Sequence, residues 1–164
     1  MDNNACYGNA LTATGSNAAE ISILSSVSDL TTNCLIKNNI GYATVAGAYA
    51  IYVDAYSYDN AGLDITNNCW YRASGNWYFW NDSGGDTLAT WNAFTGVGTD
   101  LNSDPLFANP ATPDFTPQAI SPCINAGVDV SLTEDYAGNP IIGLPDIGAY
   151  EYQGGWIPKV IMVM

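Results

Sequence analysis

Asn38-Asn39-Ile40-Gly41-Tyr42 and Asn67-Asn68-Cys69-Trp70-Tyr71 share one pattern: two asparagines, two variable residues, then tyrosine. Asn3-Asn4-Ala5-Cys6-Tyr7 is a third copy, and successive copies begin 35 and 29 residues apart. Self-similarity at such a period marks a repeat architecture. Outside the motif the later repeats align further. Ala19-Glu20-Ile21-Ser22-Ile23 matches Tyr49-Ala50-Ile51-Tyr52-Val53, and Leu35-Ile36-Lys37 matches Asp64-Ile65-Thr66. These are short alternating runs of β-branched and apolar residues between Ser, Asp, Asn and Gly, the pattern of strands between turns. Sustained helical spacing is missing, and Asn, Ser, Thr and Gly are poor helix formers.

A repeat of roughly 30 residues built from short strands predicts a parallel β-solenoid of about three to four coils, spaced by about 4.8 Å. The asparagines then have a physical task. Side-chain amides one strand spacing apart can hydrogen-bond from repeat to repeat, and Asn tolerates the left-handed backbone of a tight turn. Asn38, Asn39, Asn67 and Asn68 are therefore expected to form a ladder, with Tyr42 and Tyr71 ring against ring.

The pattern changes after Asp82. Ser83-Gly84-Gly85 breaks the strands, and Asp86 or Thr87 can cap a short helix running to about Phe94, with Leu88 and Trp91 on one face and Gly96 ending it. All 8 prolines lie beyond this point, which predicts extended, loop-rich chain with few ladder bonds. Residues 99–122 are expected to wrap the repeats, residues 145–152 to add a final strand, and the apolar tail at 156–164 to pack against one end. The chain thus divides into coils over 1–82 and a capping, wrapping segment over 83–164, together one structural domain.

The repeats resemble those of the right-handed parallel β-helix proteins, the superfamily of pectin and alginate lyases. The second half resembles the C-terminal ending frequent in that superfamily. The matching stretches are Leu88-Ala89-Thr90-Trp91, Ser103-Asp104-Pro105-Leu106-Phe107, Asp114-Phe115-Thr116-Pro117, Ser121-Pro122-Cys123-Ile124-Asn125-Ala126-Gly127, Asp135-Tyr136-Ala137-Gly138-Asn139-Pro140 and Pro145-Asp146-Ile147-Gly148-Ala149-Tyr150-Glu151-Tyr152. The resemblance implies right-handed coils and an extracellular or cell-surface protein that handles polysaccharide. It marks architecture and brings no catalytic residue with it. A longer parent of this kind would be a polysaccharide lyase or a glycoside hydrolase.

Hydrophobic residues make up 48% and charged residues 12% of the 164-residue chain, so disorder is not expected. The net charge is −13, with Lys37, Arg72 and Lys159 the sole basic residues, which excludes nucleic acid as a partner. That field opposes acidic polysaccharides unless calcium bridges them, so calcium is the one cofactor considered. Cys6, Cys34, Cys69 and Cys123 read as buried free thiols. Cys69 fills the slot of Ile40 in the preceding copy, where cysteine behaves as a small hydrophobe. Without histidine or a Cys-x-x-Cys pair no zinc site is expected. The lack of histidine also removes triads and imidazole acid–base chemistry. No apolar run is long enough to span a membrane.

Asp54, Asp59 and Asp64 share one repeat, yet no carboxylate in the preceding repeat aligns with them to form the pair that glycoside hydrolysis needs. Catalysis is not assigned to this chain. Binding is the stronger reading. Trp70, Tyr71, Arg72, Trp77, Tyr78 and Trp80 concentrate aromatic surface that can stack on sugar rings; the same residues can equally seal the junction between repeats and ending. Asp100, Asn102 and Asp104 alternate as calcium-ligating oxygens do, and as turn formers do. The chain opens inside a repeat motif with no capping element, so the N-terminal edge is expected to meet further coils of a longer chain or a second copy. Two functions follow: the terminal part of a polysaccharide-binding or -processing protein, or a structural or adhesive module of a surface fibre or phage particle.

Overall fold

A computed structural model describes residues 1–9, 18–24, 33–54, 63–73, 79–80, 87–96 and 98–154. The strands are Ala5–Tyr7 (β1), Ala19–Ile23 (β2), Leu35–Lys37 (β3), Ile40–Ala43 (β4), Tyr49–Val53 (β5), Asp64–Thr66 (β6), Cys69–Arg72 (β7), Phe79–Trp80 (β8), Phe107–Asn109 (β9) and Asp114–Pro117 (β10). Among the described residues there is one helix, Leu88–Thr95 (α1), between β8 and β9.

The expected right-handed parallel β-helix of three to four coils is corrected. The described strands form four small sheets, ordered β1-β4-β7, β2-β5-β8, β3-β6 and β10-β9, and no continuous solenoid is found among them. The class is all-β-like with one helix. Each strand is only two to five residues long, so no sheet extends far. The last sheet is antiparallel and bulged between Asp114 and Pro117, which places it outside any parallel column.

Within the three parallel sheets, equivalent residues of successive repeats pair. Ala19 faces Tyr49, Ile21 faces Ile51 and Ile23 faces Val53. Ile36 faces Ile65, and Ile40 faces Cys69. Apolar side chains thereby repeat one above another, and Ile21, Ile23, Ile36, Ile51, Val53 and Ile65 form one core with Trp70 and Trp91. A second core holds Ile40, Cys69, Phe107, Cys123 and Ile147. The close fit has a local consequence at Gly41, where a Cβ would stand 2.5 Å from the Ala50 carbonyl oxygen.

The helix stands where its signals put it. Thr87 accepts from the Thr90 N–H, Thr90 reaches back to the Thr87 N–H, and Gly96 closes the other end at φ 77. Trp91 is its buried residue.

Residues 99–101 act as a fourth, altered copy of the asparagine motif. Leu101 bridges Cys69 in parallel; its N–H reaches the Asn68 carbonyl at 2.7 Å, and its own carbonyl accepts from the Trp70 N–H at 2.9 Å.

The final strand expected at 145–152 does not form; the segment runs as bends and coil. Its backbone donors go to carboxylates and to carbonyls of separate segments rather than to one neighbouring strand: Ile147 N–H donates to the Cys123 carbonyl and Gly148 N–H to the Asn38 carbonyl, at 2.9 and 2.8 Å. Asp146 N–H donates to Glu151, Glu151 N–H to Asp135, and Tyr152 N–H to Asp146, at 3.0, 2.9 and 2.6 Å. The apolar tail at 156–164 lies outside the described residues.

Candidate functional site

The first asparagine of each copy, Asn3, Asn38 and Asn67, is left-handed, with φ of 52, 56 and 54. Asparagine accepts this conformation at low cost, and the turn aims its side chain at the C-terminal segment. Asn38 Nδ2 donates to the Val128 carbonyl at 2.7 Å, and Val128 N–H returns a bond to Asn38 Oδ1 at 2.8 Å. Asn67 Nδ2 holds the Ala126 carbonyl at 2.9 Å, and Asn3 Nδ2 the Asp146 carbonyl at 3.3 Å. These amides fasten the loop-rich ending to the repeats.

The second asparagine of each copy builds a column. Asn4 Nδ2 donates to Asn39 Oδ1 at 3.0 Å, Asn39 Nδ2 to Asn68 Oδ1 at 3.1 Å, and Asn68 Nδ2 to Asp100 Oδ1 at 3.2 Å. At every step the backbone N–H of the upper residue joins its side chain on the same acceptor, at 3.2, 2.9 and 2.8 Å. Asn39 and Asn68 are fully buried, so each lost bond would leave a desolvated polar atom, at a cost of about 1–3 kcal/mol.

Asp100 ends the column. Its Oδ2 accepts from Trp70 Nε1 at 2.7 Å and from Trp91 Nε1 at 2.6 Å. Burial raises its pKa, opposed by the bonds from Trp91, Asn68 and Trp70. Two oxygens with four donors leave no lone pair aimed at solvent. The calcium expectation for Asp100, Asn102 and Asp104 is therefore corrected at Asp100, which is 3% exposed and already satisfied. Asp104 accepts from the Leu106 N–H at 2.9 Å, a turn of its own, and Asn102 is half-buried. Among the described residues, no group of three His, Cys, Asp or Glu is placed to hold a metal ion.

The proposed sugar-stacking residues separate. Trp70 is 1% exposed and its indole N–H is committed to Asp100, so it offers no face to a ligand. Tyr71 is half-buried and edge-on to Tyr42, with ring centres 4.9 Å apart. Arg72 is half-buried at the end of β7. Trp77, Tyr78 and the side chain of Trp80 lie outside the described residues.

Tyr42 stands between Tyr7, at 4.8 Å, and Tyr71. Phe107 touches both Tyr7 and Tyr42, and Phe115 packs on Tyr7 and Phe107. Burial first, then the Asp104 carboxylate and the flanking tyrosines, push Tyr42 up to about 12. The rings are tilted by 43° and 68° to each other, so they pack as a cluster rather than a flat platform.

Of the basic residues, Lys37 is paired with Asp64 at 2.6 Å. All four cysteines are free; Cys69 and Cys123 are buried, while Cys6 and Cys34 are half-buried. The hydrogen bond with Cys123 and burial raise the Cys69 thiol well above its usual value, which makes it a poor nucleophile.

The feature that sequence reasoning missed is the role of Asp100. Its signal was present: Thr99-Asp100 follows Asn67-Asn68 by 32 residues, and Asp matches Asn in shape. No family model matches this chain, and no curated protein matches it. No helix among the described residues is long and apolar enough to cross a membrane.

Proposed function

We propose that this chain is a structural module of a secreted or surface assembly. One observation carries the reading. The candidate site residues that the structure describes are committed to packing: Trp70 and Asp100 are buried and bonded to each other, and the amides of Asn39 and Asn68 are spent on the column between the repeats. The reading of a polysaccharide-binding protein keeps, after the burial of Trp70, the half-buried Tyr71 and Arg72 and aromatic side chains outside the described residues, and the geometry supports the structural reading better.

The test sets a glycan array against a size measurement in solution, using the same full chain. Assembly that grows with concentration, with no glycan retained, is the expected result. Glycan retention by a chain that does not assemble would reverse the choice between the two functions.

A further inference from the structure

The second core brings together two cysteines from distant parts of the chain. Cys69 opens β7, and Cys123 sits 54 positions later in the turn at 122–125. Both are 0% exposed, and both belong to the cluster of Ile40, Phe107 and Ile147. Their side chains are hydrogen-bonded to each other. A thiol has one proton to donate, and Cys69 Sγ gives its own to the Ser103 carbonyl at 3.2 Å. The proton between the two sulfurs is therefore that of Cys123.

The backbone on each side of this contact is held independently of it. Cys69 N–H donates to the Asn39 carbonyl at 2.8 Å, and its strand is in register with Ile40. Cys123 N–H donates to Ser121 Oγ at 3.2 Å, and the Cys123 carbonyl accepts from Ile147 N–H at 2.9 Å. Two residues before Cys69, Asn67 Nδ2 fastens the same stretch of the ending through the Ala126 carbonyl at 2.9 Å. The other two cysteines stand apart from this cluster. Cys6 packs against the first core and Cys34 precedes β3; both are half-buried.

We propose that Cys69 and Cys123 form a disulfide site, closed by a low-molecular-weight disulfide such as oxidised glutathione, which joins β7 covalently to the ending. The free thiols of the structure are the reduced state of this pair. One cysteine, as its thiolate, attacks the oxidant, forming a mixed disulfide and releasing one glutathione. The second cysteine then displaces the other glutathione and completes the protein S–S bond. Two cysteine S–H bonds and the oxidant's S–S bond are thus exchanged for one protein S–S bond and two glutathione S–H bonds, and two electrons pass to the oxidant. Because both sulfurs are buried, the exchange belongs to folding, before the cluster closes, and the finished bond is then shielded. The bond to the Ser103 carbonyl is given up, but it comes from a weak donor and Ser103 is exposed to water. Closing so long a loop restricts the unfolded chain and favours the folded one. The inference goes beyond the structural reading above and does not depend on it; a secreted or surface setting would only supply the oxidant.

The test refolds the reduced full chain in a buffer of oxidised and reduced glutathione, alkylates the remaining thiols and maps the unreduced peptides by mass spectrometry. A 69–123 link as the main cross-link is expected, with Cys6 and Cys34 alkylated, a native circular dichroism spectrum, and a higher urea midpoint than the reduced chain. Should the reduced chain not refold, the native chain held in the same buffer at urea just below its midpoint gives the same map. The Cys6→Ser, Cys34→Ser double variant is expected to keep both the link and the midpoint shift, and Cys69→Ala to lose the shift. A folded chain alkylated at both 69 and 123 overturns the inference, as do other pairings in comparable amount. A linked chain with a lower midpoint, or a shift that survives Cys69→Ala or vanishes in the double variant, overturns it too.

Discussion

Replacing the buried amide of Asn68 by a carboxylate would set it against Asp100, with 3.2 Å between Nδ2 and Oδ1 in the native pair, and strip donors from the Ile36 and Thr66 carbonyls. Asn68→Asp is expected to cost about 3 kcal/mol or more in urea unfolding, since a buried charge facing a like charge has no compensation. A small loss would mean that the column contributes little. Tyr42 gives a second test at this scale. Its folded pKa, about 12, lies above its ordinary 10.0. The stability it contributes is therefore complete below pH 10 and is lost as pH rises through the folded value. Absorbance titration should find a late-ionising step near the folded value that is lost in Tyr42→Phe; Tyr71, whose pKa burial also raises, keeps its own. The left-handed asparagines and the amide pairs were legible from the sequence, because a repeated Asn-Asn pair at a turn has few other uses. Asp100 read as a calcium ligand or as a turn former, and its place at the end of the column was neither. A local spacing of carboxylate and amide oxygens says nothing about two indole donors that arrive from β7 and α1.

Short elements here depend on caps and close contacts more than on length. Thr87→Ala removes the side-chain acceptor for Thr90 N–H and is expected to cost about 1 kcal/mol, read from the thermal midpoint. Gly41→Ala drives a methyl group to 2.5 Å from the Ala50 carbonyl and 3.0 Å from the Trp70 ring. Backbone on one side and a buried indole on the other leave little room to yield, so a loss of about 1–3 kcal/mol is expected; an unchanged midpoint would show that β4 and β5 separate easily. The pairing of Ala19 with Tyr49 and of Leu35 with Asp64 is the alignment of the repeats themselves, because a register shift would turn every apolar side chain outward. The strand expected at 145–152 failed for a reason that alternation cannot reveal. Asp135, Asp146 and Glu151 capture the N–H groups of Asp146, Glu151 and Tyr152, while those of Ile147 and Gly148 go to the Cys123 and Asn38 carbonyls on two different segments.

For the molecule as a whole, repeat spacing gave the parallel pairs without giving a continuous solenoid. Strands of two to five residues, an antiparallel pair at 107–117 and a proline-rich ending held by side-chain bonds make four small sheets instead. Two packed clusters, around Ile51 and around Ile147, hold these sheets together. Because Cys69 and Cys123 are each 0% exposed, these thiols should react with a disulfide reagent only at the rate of unfolding, ahead of which Cys6 and Cys34 react. Rapid reaction of all four in the native state would contradict the second cluster.

The direction of the amide column also bears on chemical ageing. Asparagine is among the residues that heat and time convert to acid, and hydrolysis at Asn39 or Asn68 would turn a relaying rung into a second terminus. The bonds that Asn39 gives Asn68 and that Asn68 gives Asp100 would be lost at that rung, so hydrolysis of either amide is expected to weaken the fold itself.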